Sequence, residues 1–388
     1  MTITPRRSLG LGAVYLGNLL LAFHWYTILY VNSSFISTLV GEEKVGLIYT
    51  IGSFLNLLLL LLTPRILKRF GNYKFIVSVI VIEALATLGL ALIGYTTLAL
   101  ILFIIHQALV PLILFGLDVF LEEYSPNEST TGSTRGVFLT LANLALVISP
   151  ALAGLVLTNG DYWKIYLLST IFLVPILGIS SVWRSNKKTI IENTSILNTF
   201  RRLRKNKDIF LIWKANFILQ MFYAFMVIYL PIYLHEYIGF EWSHIGSILT
   251  IMFLPFLLFE FPIGRLADKK LGEKEILGTG FVIAGLSTAL IAFIEVPLFA
   301  LWALILFTTR VGASFIEITS ESYFFKHVKT TDTDLVSFFR ITRPLSFIIA
   351  PLIASLLLPY ITYGTLFGIV GVMMLFGLQY SLRIQDTK

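Results

Sequence analysis

Long apolar runs separated by short polar or basic stretches set the pattern of this chain. Twelve runs are long enough to cross a bilayer, at about 10–38, 44–63, 74–94, 97–122, 135–158, 163–183, 209–236, 244–263, 276–294, 298–325, 334–358 and 362–382; a spanning helix needs roughly 20 apolar residues. Inside lipid every backbone N–H and C=O must find a partner in the protein, so these runs are expected to be helices. The short alternating segments of a membrane barrel do not occur. The first run follows Arg6 and Arg7. It is too long for a signal peptide and lacks a small-residue cleavage site, so it is expected to stay as the first span.

Basic residues fall on one side of this pattern. With the N-terminus inside, the inner segments carry Arg6, Arg7, Arg65, Lys68, Arg69, Lys74, Arg135, Arg184, Lys187 and Lys188 in the first half. In the second half they carry Arg201, Arg202, Arg204, Lys205, Lys207, Arg265, Lys269, Lys270, Lys274, Lys326, Lys329, Arg383 and Lys388. The outer loops hold Lys44 and Lys164. Because Lys and Arg stay on the cytoplasmic side during insertion, both termini are expected there, in a multi-pass protein of the cell (inner) membrane. The net charge of +7 then belongs to loops that meet anionic headgroups, and nucleic acid is not an expected partner.

The two halves repeat one another. Asn18 in span one answers to Asn216 in span seven. Asp118, Glu122 and Tyr124 in span four answer to Glu317, Glu321 and Tyr323 in span ten. The stretch Pro64–Lys74 answers to Gly264–Lys274, and Ser149-Pro150 answers to Ala350-Pro351. All four matches keep nearly one offset. The expected organisation is a six-helix bundle over 1–183, a basic cytoplasmic linker over 184–208 whose Arg201 to Lys207 form an interfacial helix, and a second six-helix bundle over 209–388. Paired repeats around a midplane site are a transporter architecture.

The run Gly264-Arg265-Leu-Ala-Asp268-Lys269-Lys-Leu-Gly272-Glu-Lys274 resembles the signature loop of the major facilitator superfamily, Gly-x-Leu-Ala-Asp-Arg-x-Gly-Arg-Arg, with one extra residue before Gly272. The first-half copy has Pro64 where Gly stands and Lys68 where Asp stands. The resemblance implies an all-α polytopic membrane protein, with twelve transmembrane helices in two pseudo-symmetric bundles and spans 1, 4, 7 and 10 around a central cavity. It also implies a cytoplasmic gate in which Asp268 pairs with Arg340 or Arg343, and to which Gly264, Arg265, Lys269, Gly272 and Asp118 belong. Ser149-Pro150-x-x-Ala153-Gly154 resembles, with two departures, the span-five element of drug and metabolite antiporters.

Ionisable groups inside a membrane cost a few kcal/mol each and so face a cavity or a partner. In span ten Arg310, Ser314, Glu317 and Glu321 recur at i, i+4, i+7 and i+11, on one helical face. That stripe reads as a solvated pathway with an internal ion pair. Glu317 is the expected proton carrier, since burial and a nearby guanidinium act on its protonation in opposite senses. Asn18, Trp25, His106, Gln220 and Tyr223 complete the expected substrate and ion pathway. Asp118 and Glu122 are expected to pair with Arg135 or with the motif loop. Glu83 in span three takes no role. The His235-Glu236…Glu241…His244 loop fits no metal spacing, and no metal is expected.

Composition narrows the function. Charged residues are 13% of the chain and hydrophobic residues 57%, far from the usual soluble balance. There is no cysteine, which excludes disulfides and thiol catalysis. No phosphate-binding Gly-rich loop occurs, so an ion gradient is the expected energy source and no cofactor is expected. The chain is read as a non-enzymatic, monomeric secondary transporter of a small organic solute. Its mechanism is alternating access, coupled to protons, with a leaning to efflux of drug-like compounds or metabolites. Uptake of a sugar or similar solute is the alternative. From other classes, a membrane-embedded enzyme or a non-transporting receptor remains.

Overall fold

A computed structural model describes residues 5–93, 96–124, 131–157, 160–183, 196–267, 272–328 and 333–385. Among the described residues the protein is helical with no strand. Twelve helical spans among the described residues are long and apolar enough to cross a membrane. In chain order the helices are α1 (Pro5–Leu29), α2 (Asn32–Val40), α3 (Glu42–Phe70), α4 (Asn72–Leu92), α5 (Thr96–Tyr124), α6 (Thr131–Val156) and α7 (Tyr162–Ile179). They continue as α8 (Ile196–Lys205), α9 (Lys207–Ile232), α10 (Trp242–Leu266), α11 (Glu273–Leu290), α12 (Phe299–His327), α13 (Thr333–Arg340), α14 (Thr342–Leu357) and α15 (Tyr363–Arg383).

Two apolar runs differ from their expected continuity. The first does not run to 38: α1 ends at Leu29, a turn closes from Val31 N–H to the Ile28 carbonyl at 2.9 Å, and α2 restarts at Asn32. Asn32 sits at the break and turns its side chain to His106 of α5 and Tyr166 of α7. The eleventh run is interrupted between Arg340 and Thr342. Pro344 lies in the first turn of α14, where its missing N–H costs no helical hydrogen bond.

The chain divides into two compact units, residues 1–39 with 51–193 and residues 40–50 with 194–388. In the first unit α1 packs on α5, α6 and α7, and α4 packs on α5 and α7. Val14 and Leu21 of α1, Ile76 and Ile80 of α4, Ile113, Leu117 and Phe120 of α5, Leu173 and Ile176 of α7, and Trp183 form one buried cluster. Close packing is one of the forces that join helices in lipid, and small residues here admit large ones: a Cβ on Gly17 would meet the Trp183 ring, and one on Gly116 would meet Ile76.

In the second unit α11 lies against α12 and α15. Backbones touch there. A Cβ on Gly280 would lie 2.8 Å from the Gly312 carbonyl oxygen, and one on Gly312 would lie 2.6 Å from that of Gly280. Helix α8 presents Arg201, Arg202, Arg204 and Lys205 on one side and buries Thr199 and Leu203 on the other. Phe200 of α8 meets Phe210 of α9 and Phe338 of α13 with ring centroids 6.0 and 5.8 Å apart.

The repeat also shows in the backbone. Gly71 before α4 and Gly272 before α11 both have φ of 79°, a left-handed conformation that glycine adopts without penalty. Each closes the preceding turn, to the carbonyl of Leu67 at 2.9 Å and of Ala267 at 3.1 Å.

Candidate functional site

The polar stripe of α12 meets aromatic side chains from α9 and α10. Arg310 is 1% exposed. Its guanidinium carbon lies 4.9 Å from the ring centre of Phe222, 5.4 Å from Tyr223 and 5.7 Å from Phe253. Three π-faces therefore surround a charge that apolar burial alone would not tolerate, and a desolvated cation–π contact is worth about 2 kcal/mol. Two turns along, Glu317 accepts a 2.6 Å hydrogen bond at Oε2 from the Tyr223 hydroxyl. Tyr223 thus touches both charges, its ring under the arginine and its hydroxyl on the carboxylate. The fields of Arg343 and Arg310 both act on Glu317, so α14 contributes to the same site. Phe256 of α10 abuts the Tyr223 ring at 6.3 Å.

The other expected residues fall in different settings. Ser314 shares the Arg310 face, but its hydroxyl donates back to the Val311 carbonyl at 2.9 Å. Glu321 is exposed, and Gln220 is half-buried in α9. In the first unit, Asn18 is buried and its amide donates to the Phe138 carbonyl of α6 at 2.7 Å. Trp25 stacks on Tyr26 at 5.4 Å. His106 is buried against Glu83.

Of the expected gate, Asp268 and Lys269 lie outside the described residues. Gly264 abuts Ile318 of α12, Gly272 caps α11, and Arg265, Arg340 and Arg343 are exposed. Asp118 is half-buried. Glu122 carries the pairing expected with Arg135, at 2.8 Å between Oε1 and Nη2. His235 turns its Nδ1 to the Phe240 carbonyl at 2.9 Å.

Two groupings escaped the sequence reading. Glu273, fully buried at the start of α11, takes Lys326 at 2.5 Å and the Ser322 hydroxyl at 2.9 Å, both from α12. Glu83 is flanked by two histidines, His24 of α1 and His106 of α5. The one signal in the sequence was that all three are ionisable residues inside apolar spans.

Two segments of the chain, residues 14–247 and 242–385, match the family described as the Major Facilitator Superfamily. The fold is shared with solved transporters of low sequence identity. A mutant form of the nucleoside transporter NupG superposes with a TM-score of 0.78 at 14% identity, covering 96% of this chain and 100% of that one. An auto-inhibited POT family peptide transporter gives 0.77 at 11% identity, with 97% and 98% covered. A bacterial homolog of the human lysosomal transporter Spinster, inward-facing and unoccupied, gives 0.71 at 12% identity, with 98% and 94% covered. No curated protein matches this chain. With its spans, its repeated glycine turns and the family match over nearly all its length, the chain belongs to the major facilitator superfamily of membrane transporters.

Proposed function

We propose that this protein moves a small organic solute by alternating access, driven by the proton gradient, with Glu317 as the proton carrier. The observation that carries the proposal is Tyr223 joined to Glu317 through its hydroxyl and to Arg310 through its ring. A carboxylate inside a span is tolerated when it has a donor and a nearby cation. Tyr223 and Arg310 provide these without forming a rigid two-point clamp on the carboxylate. Loading a proton on Glu317 removes its attraction to Arg310 and Arg343, so the rest position of α12 against α9 and α14 changes with protonation.

Export of drug-like compounds or metabolites is the direction we favour, on the Pro150 element of α6 with buried Ser149 and Ala153 beside it. The protein is proposed to act as a monomer in the inner membrane, with both termini cytoplasmic, on the asymmetry of its Lys and Arg residues. Among the solved structures with this fold are a nucleoside transporter and a peptide transporter. Nucleosides and short peptides therefore belong with drug-like compounds in a first solute screen. Proteoliposomes with an imposed pH gradient test the proposal: solute flux that follows the gradient supports it, and flux indifferent to the gradient refutes the coupling.

A further inference from the structure

A group of buried ionisable side chains in the first unit has no part in the proposed transport chemistry. Glu83 of α4, His24 of α1 and His106 of α5 are 0, 0 and 1% exposed. One ligand atom from each lies within 4.8 Å of the others. Glu83 Oε1 is 3.2 Å from His24 Nε2 and 2.5 Å from His106 Nδ1. Glu83 Oε2 is buried with no hydrogen-bond partner among the described residues. A buried carboxylate oxygen with no donor is costly and calls for an occupant.

The hydrogen bonds around His24 sharpen this. Its Nδ1 lies 3.0 Å from the Ser169 carbonyl oxygen and 2.8 Å from the Ser169 hydroxyl oxygen, so Ser169 fixes the orientation of the ring. The Ser169 hydroxyl also lies 2.9 Å from the His24 carbonyl, and when its proton goes there Nδ1 carries the N–H toward the Ser169 carbonyl. In a neutral ring Nε2 is then a bare lone pair, and it faces the carboxylate oxygen Oε1. Two acceptors at 3.2 Å are held together by a proton or a metal ion between them. Fixing Nδ1–H on a backbone carbonyl is also how a second shell orients a histidine that ligates metal through Nε2.

His106 is held the other way round, with an amide N–H on Nε2 and Nδ1 turned to Glu83. Its Nε2 is 3.2 Å from the Asn32 amide nitrogen, and Asn32 Oδ1 accepts from Tyr166 at 2.8 Å. Turning that amide over offers Oδ1 to Nε2–H and frees Nδ1 as a ligand, with the Tyr166 hydroxyl switching from donor to acceptor.

We infer that His24, Glu83 and His106 form a buried site for one divalent transition-metal ion of the zinc class. Two imidazoles and a carboxylate suit zinc or cobalt and do not suit magnesium or calcium, which prefer all-oxygen shells. The 3.2 Å between His24 Nε2 and Glu83 Oε1 is close to the ligand-to-ligand separation of a tetrahedral zinc with bonds of about 2.0–2.1 Å. His106 Nδ1 lies too near Oε1 for that, and the unpartnered Oε2 gives the carboxyl a second oxygen to present once the ion enters. The ion ties α1, α4 and α5 together, and α7 and α2 supply the orienting groups Ser169, Tyr166 and Asn32.

The test uses the full chain in detergent with any affinity tag removed, stripped with a chelator and then titrated with Zn²⁺ and with Co²⁺. The expected result is one zinc ion per chain by elemental analysis and a visible cobalt band of tetrahedral intensity. Glu83→Gln should lose both while Glu317→Gln keeps both. Asn32→Ala, which touches only the orienting group, should weaken zinc binding by about 10- to 100-fold. Should Glu83→Gln fail to fold, the wild-type cobalt spectrum and the Asn32→Ala titration still decide. Wild-type protein that takes up no zinc, or ¹⁵N spectra showing His24 as an imidazolium in zinc-saturated protein, would overturn the inference, because a proton would then be the occupant.

Discussion

The Tyr223 hydroxyl donates to Glu317 across 2.6 Å, from one helix to another. Hydrogen bonds to charged groups contribute about 1.5–3 kcal/mol. Tyr223→Phe removes the donor and leaves the ring under Arg310 intact. Gradient-driven solute flux in proteoliposomes is therefore expected to fall about tenfold or more, since about 1.4 kcal/mol is a factor of ten. Melting in detergent should shift only slightly, because the aromatic packing remains.

Arg310 is held by rings, so its planarity matters as much as its charge. Lys keeps the charge but presents a compact ammonium that stacks poorly. Arg310→Lys is expected to lose about 1–2 kcal/mol of stability, with solute flux reduced. Phe222→Leu, which removes the nearest ring and leaves the arginine in place, should lower thermal stability in the same direction by a smaller amount. Thermal denaturation of both variants in detergent checks the order.

The approach of α11 to α12 leaves no space for a side chain. Gly312→Leu pushes a side chain onto the Gly280 carbonyl and Ala284, and overpacking of this kind costs about 1–3 kcal/mol or more. Gly12→Ala is the control: nothing lies within 4 Å of the added Cβ, so its melting temperature should hold or rise. Equal melting temperatures for the two would mean that α11 and α12 are further apart than described.

Glu273 and Lys326 link the start of α11 to the end of α12, with the carboxylate buried and the ammonium 41% exposed. A double-mutant cycle with Glu273→Gln and Lys326→Met should give a coupling energy of about 0.5–3 kcal/mol, the range for residues in contact. Partial exposure of the lysine puts the expected value in the lower half of that range. Additive single effects would show that the pair is not formed in the membrane-embedded protein.

What the sequence revealed follows from how each feature is encoded. Spans are written as contiguous apolar length, so their number and order were legible. The stretches Pro64–Lys74 and Gly264–Lys274 were legible as a repeat, but the shared left-handed glycine in each, Gly71 and Gly272, showed only in the backbone. The break at Tyr30 and Val31 was not, because both residues suit an apolar helix and the cause, Asn32 turned toward His106 and Tyr166, lies on other spans. The α12 stripe was readable because its residues share one helix face. Its aromatic enclosure was not, since Phe222 and Phe253 look like any lipid-facing phenylalanines. Glu83 looked unaccountable for the same reason: His24 is 59 residues before it and His106 is 23 after it, and no periodicity joins three helices.

The central claim is that Glu317 carries the coupling proton. It is tested most directly by comparing wild type with Glu317→Gln in proteoliposomes, on a solute identified by the screen above. One arm measures flux driven by an imposed pH gradient and the other measures solute exchange with no gradient. If the account is right, Glu317→Gln loses the gradient-driven flux and keeps the exchange. Gradient-driven flux that survives at the wild-type rate would contradict it.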